Sequence, residues 1–288
     1  SADILIKEPC QKKAVSADID WGAFPLAEMR LRGYFEGFTG SLPELKEYSA
    51  EKVTSFLSSV KNGFDLEPAM LRTSAHLRSN DKETDDYALW AWQVRVLQKA
   101  KEEQLKTNYV VGTVDFKWMR KLAEMSWSKQ GPILAKEYLN SHGIHLIIEP
   151  HLTKTYLDGA VCLSPTGNPV VALTLRHDKL DNFWFSLMHE LAHIALHVDG
   201  TETWFLDNLD AEGGNEIEQQ ADALAQESLM PNDKWDIDNI LEASDVRALA
   251  KALSISPCIA AGRIRYETSN HQLFGTLFRE KIKPLFLA

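Results

Sequence analysis

The stretch from Asp181 to Val198, reading DNFWFSLMHELAHIALHV, constrains this chain more than any other. Its apolar residues Trp184, Leu187, Met188, Leu191, Ile194, Ala195 and Val198 recur at i, i+3, i+4, i+7 spacing. That period predicts an amphipathic helix, with Asp181 placed to cap its first turn. His189, Glu190 and His193 form an H-E-x-x-H pattern on it. Residues four apart share a helix face, so both imidazoles can reach one ion. Glu190 lies about 100° round the helix from His189, beside such an ion without ligating it. From there it can take a proton from an attacking water. The competing reading is an ordinary helix with surface or core histidines. H-E-x-x-H alone is moderately specific, so the rest of the chain has to support it.

A catalytic zinc site takes three protein ligands and leaves a fourth position open. The run from Glu216 to Pro231, EIEQQADALAQESLMP, supplies a candidate third. Ile217, Ala221, Leu224, Ala225 and Leu229 mark a second helical face, and Pro231 ends the helix. Glu218 and Asp222 lie four apart on the neighbouring face. Glu218 is the candidate ligand. Asp222, one turn on, is placed to accept the outer N–H of a ligand histidine, His189 in first place, which fixes the tautomer and raises ligand basicity. The plain alternative for Asp222 is a solvated carboxylate.

The rest of the sequence frames these helices. At 288 residues the chain makes one or two domains and can bury a core without staples. Hydrophobic residues at 44% and charged residues at 25% argue against a disordered or fibrous chain. No apolar run reaches the roughly 18 residues of a membrane span, and no signal peptide is visible, so a cytoplasmic protein is expected. The first residue is Ser1 rather than Met, which fits processing or missing upstream sequence. The net charge of −10 argues against a non-specific nucleic-acid surface. Cys10, Cys162 and Cys258 are too few and too scattered for a disulfide framework and read as buried thiols.

Residues 1 to about 40 read as irregular, punctuated by Gly22, Pro25, Gly33, Gly37 and Gly40. Helical spacing is expected over 42–60, closed by Lys61-Asn62-Gly63, then over about 67–76, 86–105, 116–126 and 132–142. A polar linker is expected over 79–85. Short strands are expected over 144–148, 159–163 and 170–175. The turn-rich segment from Ser164 to Pro169 joins the last two as a hairpin. These elements predict an α+β fold, mostly helical with a small three-stranded sheet. The expected organisation is a helical N-terminal extension over 1–80 and a zincin-like domain over 81–288, with its metal core at about 117–265.

The E-x-x-x-D arrangement after H-E-x-x-H resembles the gluzincins, the thermolysin-like metallopeptidases. More closely, HELAHIALH from His189 to His197, followed by E-x-x-A-D-x-x-A-x-x-x-L-M-P from Glu218 to Pro231, resembles the ImmA/IrrE metallopeptidases. The resemblance implies a zinc-dependent endopeptidase, with Glu218 as third ligand and a helix-turn-helix repressor as protein substrate. Members are often fused behind an Xre-type helix-turn-helix, and some are labelled HigA-like antitoxins. The segment from Asp20 to Met29 resembles the stretch found after the DNA-binding module in such fusions. No helix-turn-helix is visible in residues 1–60, so DNA binding would need a module upstream of Ser1. The competing class is a transcriptional regulator or HigA-like antitoxin domain, whose metal-binding fold senses or docks with little turnover. Mn²⁺ or Fe²⁺ could replace Zn²⁺ in such a donor set. The oligomeric state is left open.

Other residues carry weaker signals. His197 reads as a helix C-terminal histidine favoured by the dipole. Position 199, ten residues after His189, is Asp, which disfavours a metzincin. The acid-rich stretch 199–222 reads as a solvated loop or as a docking rim for a basic substrate. Arg176 reads as a structural ion pair, with carbonyl polarisation as the sharper alternative. His271 and Tyr266 are possible oxyanion donors. Trp90 and Trp92 flank one helix, so only one of them is expected to face inward. Residues 242–266 look superficially like a helix-turn-helix, but packing behind the metal helices explains them better. An extended substrate is expected to pair with an edge strand, either 159–163 or 170–175.

Overall fold

The computed structural model describes residues 19–60, 84–197, 214–235, 240 and 242–287. The expectations at Cys10, the 61–63 cap, the 67–76 helix, residues 79–83 of the linker and most of the acidic stretch lie outside them. The described chain is α+β, as expected. Three short helices, α1 (Leu26–Leu31), α2 (Leu42–Glu47) and α3 (Ser49–Ser58), precede the long α4 (Asp86–Glu102). Then come α5 (Phe116–Glu124), α6 (Gly131–Ser141), β1 (His145–Ile148), β2 (Gly159–Leu163) and β3 (Pro169–Leu173). After the sheet come α7 (Leu180–His197), α8 (Gly214–Leu229), α9 (Ala243–Leu253), α10 (Pro257–Glu267) and α11 (Lys283–Phe286).

The sheet has the order β1-β3-β2, with β1 parallel and β2 antiparallel to β3. β3 is therefore central, which removes residues 170–175 from the candidates for an open edge. Side chains alternate across the sheet with the period of two that the pleat imposes. Leu146, Val161, Val171 and Leu173 face a core shared with α5 to α10. Ile147, Ala160, Cys162, Val170 and Ala172 face a second core made by α1 to α4. The sheet is thus a shared wall between the N-terminal helices and the helices carrying the H-E-x-x-H run.

The second core corrects the expectation for the tryptophans. Trp90 and Trp92 are both buried. Helix α4 is enclosed on nearly every side, with ten consecutive or near-consecutive residues from Ala88 to Ala100 buried, so it has no solvent face for either ring. Trp90 packs on Phe24 and Tyr87, and Trp92 donates from Nε1 to the Glu149 carbonyl at 2.9 Å. Beside it, buried Glu149 receives the Tyr34 hydroxyl at 2.8 Å and pairs with Lys99 at 2.6 Å. These bonds tie the N-terminal helices to the end of β1.

Local geometry brings smaller corrections. Residues 1–40 are not wholly irregular, since α1 starts directly after Pro25. The single helix expected over 42–60 is broken at Tyr48, whose ψ of 22° leaves the helical basin between α2 and α3. Gly143 takes φ +76° after α6, where a Cβ would meet the Tyr109 nitrogen at 2.3 Å, so only glycine fits. Helix α7 begins at Leu180, one residue before Asp181. The Asp181 carboxylate pairs with Arg265 of α10 at 2.6 Å and so anchors the helix in tertiary contacts. Residues 242–266 pack behind α7: Val246, Ala250, Cys258, Ala261 and Ile264 all belong to the first core. Cys162 and Cys258 are buried free thiols, both raised by burial, Cys258 to about 11.

Candidate metal centre

Helices α7 and α8 pack along one another and bring together residues far apart in sequence. Helix α8 is held by its C-terminal end. Arg120 of α5 donates to the carbonyls of Ser228 and Leu229 at 3.2 and 3.0 Å, and to that of Leu253. Arg263 donates to the Met230 carbonyl at 2.8 Å. Such donors satisfy carbonyls that a helix end leaves open, and their charge complements the helix dipole. Glu227, a turn before the end, accepts from the Asn232 nitrogen at 3.0 Å.

His189, His193 and Glu218 meet at one point. The two Nε2 atoms are 3.1 Å apart, and Glu218 oxygens lie 3.2 Å from His189 Nε2 and 3.5 Å from His193 Nε2. Two imidazoles and a carboxylate at such spacing suit a divalent cation. Bonds of about 2.0–2.1 Å in tetrahedral arrangement put ligand atoms roughly 3.3 Å apart. The three observed separations bracket that value, so the residues fit the ion. The Glu218 side chain is 35% exposed against 9% for His193, so the cluster opens to solvent on its α8 side.

The remaining ring nitrogens are also engaged. His189 Nδ1 lies 2.8 Å from Asp222 Oδ1. His193 Nδ1 lies 3.2 Å from His197 Nδ1. With an ion held there, each Nε2 would present its lone pair to it, each Nδ1 would carry the proton, and both contacts would be donations outward. Asp222 thus lies against the outer ring nitrogen of His189. His197 does more than close the helix, because its Nδ1 lies against that of His193.

Electrostatics separate the residues. Burial opposes the cationic form of His189, but hydrogen bonds to Asp222 and Glu218 outweigh it and raise its pKa to about 10. His193, with burial and the repulsion of His189 acting together, falls to about 4. Glu190 is buried, and burial raises it to about 7. The His189 charge opposes this rise, while Glu218 and Asp158 add to it. A carboxyl held near neutrality can both take and return a proton.

Two contributors carry no motif. Gly159, the first residue of β2, lies against Glu190: a Cβ there would sit 2.6 Å from Glu190 Oε1. Asp158 stands beside it and is held by Arg176, which donates to Oδ1 at 3.0 Å, to Oδ2 at 3.3 Å and to the Tyr156 carbonyl at 3.2 Å. Arg176 thus has the structural ion pair expected of it. A glycine at a strand start reads as a turn signal, and no spacing rule links positions 159 and 190. Of the suggested oxyanion donors, His271 is exposed after α10, and Tyr266, 71% exposed, lines a neighbouring cavity.

Among the described residues, no helix is long and apolar enough to cross a membrane. No curated protein and no solved structure matches the chain. Residues 139–265 match the family described as the IrrE N-terminal-like domain, a peptidase family. The match runs from the end of α6 to the end of α10 and contains all three cluster residues, Glu190 and Asp222. This segment, less than half of the chain, is similar to the M78 peptidases with IrrE N-terminal-like domains.

Proposed function

We propose that this protein is a zinc-dependent endopeptidase that cleaves a helix-turn-helix repressor or similar regulatory protein. The observation that carries the reading is the convergence of His189 Nε2, His193 Nε2 and a Glu218 oxygen, with separations of 3.1 to 3.5 Å. In this reading those three atoms hold Zn²⁺, the ion whose catalytic sites use two histidines and a glutamate. When bound, the ion acts as a Lewis acid that acidifies water and polarises a carbonyl. Asp222 and His197 hold the ligand rings by accepting their Nδ1–H bonds, which keeps each Nε2 lone pair aimed inward. Glu190 takes the proton of the attacking water and delivers it to the leaving amine. Gly159 keeps β2 close enough to confine the Glu190 carboxylate.

The substrate lies extended along β2, whose outer edge is unpaired within the described sheet and whose first residue touches Glu190. Strand addition at such an edge gives affinity through backbone bonds and holds the chain straight across the site. The regulatory substrate is inferred from the family. The test is incubation of the zinc-loaded chain with a panel of purified helix-turn-helix repressors, with fragments read by mass spectrometry. Cleavage at one site, stopped by a chelator and restored by zinc, is expected. One bound zinc per chain with no cleavage of any repressor would favour the regulator or antitoxin reading instead.

A further inference from the structure

A cavity of about 290 Å³ adjoins the cluster on the side of Asp222 and opens between the N-terminal half of α7 and the C-terminal half of α8. Helix α10 closes it from behind. Its walls are mainly apolar: Phe185, Leu229, Met230 and Ile259 line it, and Tyr266 stands at the rim. The cavity shares its wall with the site. Phe185 lies 6.3 Å, ring centre to ring centre, from His189, and Asp222 both lines the cavity and bonds His189.

We infer that this cavity is the specificity pocket of the enzyme and takes one large apolar side chain, aromatic or branched aliphatic, from a substrate residue next to the scissile bond. The assignment rests on the proposed endopeptidase activity and names its substrate class. Its volume lies at the lower bound of the about 300–1,000 Å³ spanned by pockets for whole small molecules, ample for one large side chain. Charge supports an apolar one. Each charged side chain lining the cavity already has an opposite or polar partner. Asp181 pairs with Arg265 at 2.6 Å, and Asp222 with His189 at 2.8 Å. Arg263 donates to Glu267 at 2.7 Å and to Asn232 at 2.8 Å, with Trp235 stacked on it. A charged substrate side chain would lose water here and find each counter-charge committed. An apolar one gains by leaving water. Gly262 keeps the floor open, since a Cβ there would meet the Asp181 side chain at 3.0 Å.

The test uses hydroxamates, which grip a metal through one end and carry a chosen side chain at the other. Their binding to the zinc-loaded chain is measured by calorimetry, so no turnover is needed. The probes are acetohydroxamate, which has no side chain, and analogues bearing a benzyl, an isobutyl or a 4-aminobutyl group. Asn182→Trp and Gln226→Trp add bulk to the cavity from its two helical walls, at positions outside the cluster itself. The benzyl or isobutyl analogue is expected to bind about 10- to 100-fold tighter than acetohydroxamate, the gain from burying one large apolar side chain. Either Trp variant should shrink that ratio to within about threefold while leaving acetohydroxamate affinity unchanged, which also certifies an intact metal site. Equal binding of all four probes overturns the inference, as does a preference for the 4-aminobutyl analogue. So does a benzyl preference that survives in both Trp variants. Failure of acetohydroxamate to bind the zinc-loaded wild type would instead remove the endopeptidase reading, and the pocket with it.

Discussion

Gly159→Ala isolates a contact that no motif announces. A Cβ at position 159 would lie 2.6 Å from Glu190 Oε1 and 3.0 Å from Glu190 Cγ. Ordinary contact begins at 3.4 Å, so the carboxylate oxygen must retreat by about 0.8 Å. Position 159 sits in a strand and is absent from the positive-φ residues, so alanine adds no backbone strain. The obstructed atom is the tip of a side chain that can rotate, which keeps the stability cost small. Its position is what chemistry needs, and displacement of about 1 Å at a reacting group costs on the order of 10²-fold. The expected phenotype is therefore a kcat reduced about 10²-fold, with an unchanged melting temperature and unchanged zinc affinity. Repressor cleavage in single turnover, zinc competition and thermal melts read the three quantities. Wild-type kcat in the alanine variant would refute the confinement of Glu190 by β2. Lost zinc affinity would refute it differently, by showing that the strand supports the cluster itself.

Asp222→Asn should weaken zinc affinity or turnover about 10- to 100-fold with the fold intact, because asparagine keeps an acceptor but loses the charge that strengthens His189. Glu227→Gln, on the same helix but bonded only at its exit, should do neither. For His193 the acceptor in the proposed site is His197, so His197→Phe should lower zinc affinity and His197→Asn should recover part of it; equal affinities in both would make His197 a plain helix end. Stability should fall in acid through Glu103. Burial works against its charged form, but hydrogen bonds from His145 and Lys136 win and hold it at about 2, below its ordinary value of 4.5. A lowered folded pKa gives stability that is complete above the unfolded value and lost as pH falls from about 4.5 toward 2. Glu103→Gln should therefore cost about 1–2 kcal/mol at pH 7, after solvent screening, and nothing near pH 2, as read by urea unfolding at both pH values.

The cluster was legible in the sequence because its logic is local twice over. His189 and His193 share a face by helical period, and so do Glu218 and Asp222, so two helices each deliver half the site. What escaped were features created by tertiary contact. Gly159 meets Glu190 across 31 positions, and Asp181 turns to Arg265 across 84. Trp90 and Trp92 violated an amphipathic expectation because α4 is packed between the sheet and the N-terminal helices. Helix α1 escaped because its six residues, Leu26–Leu31, are too few to show a period. The central place of β3 could not be read from three strands in sequence order, since order within a sheet is set by how the chain crosses over.

The most direct test pairs zinc content with peptide-bond cleavage in Glu190→Gln. Glutamine is nearly isosteric and leaves His189, His193 and Glu218 in place, but it cannot accept a proton from water. One zinc per chain is expected, bound with wild-type affinity, together with a cleavage rate about 10²- to 10⁴-fold lower, the usual range for a lost general base. A variant that holds zinc normally and cleaves a true substrate at the wild-type rate would contradict the assignment of Glu190, and with it the reading of this cluster as a peptidase centre.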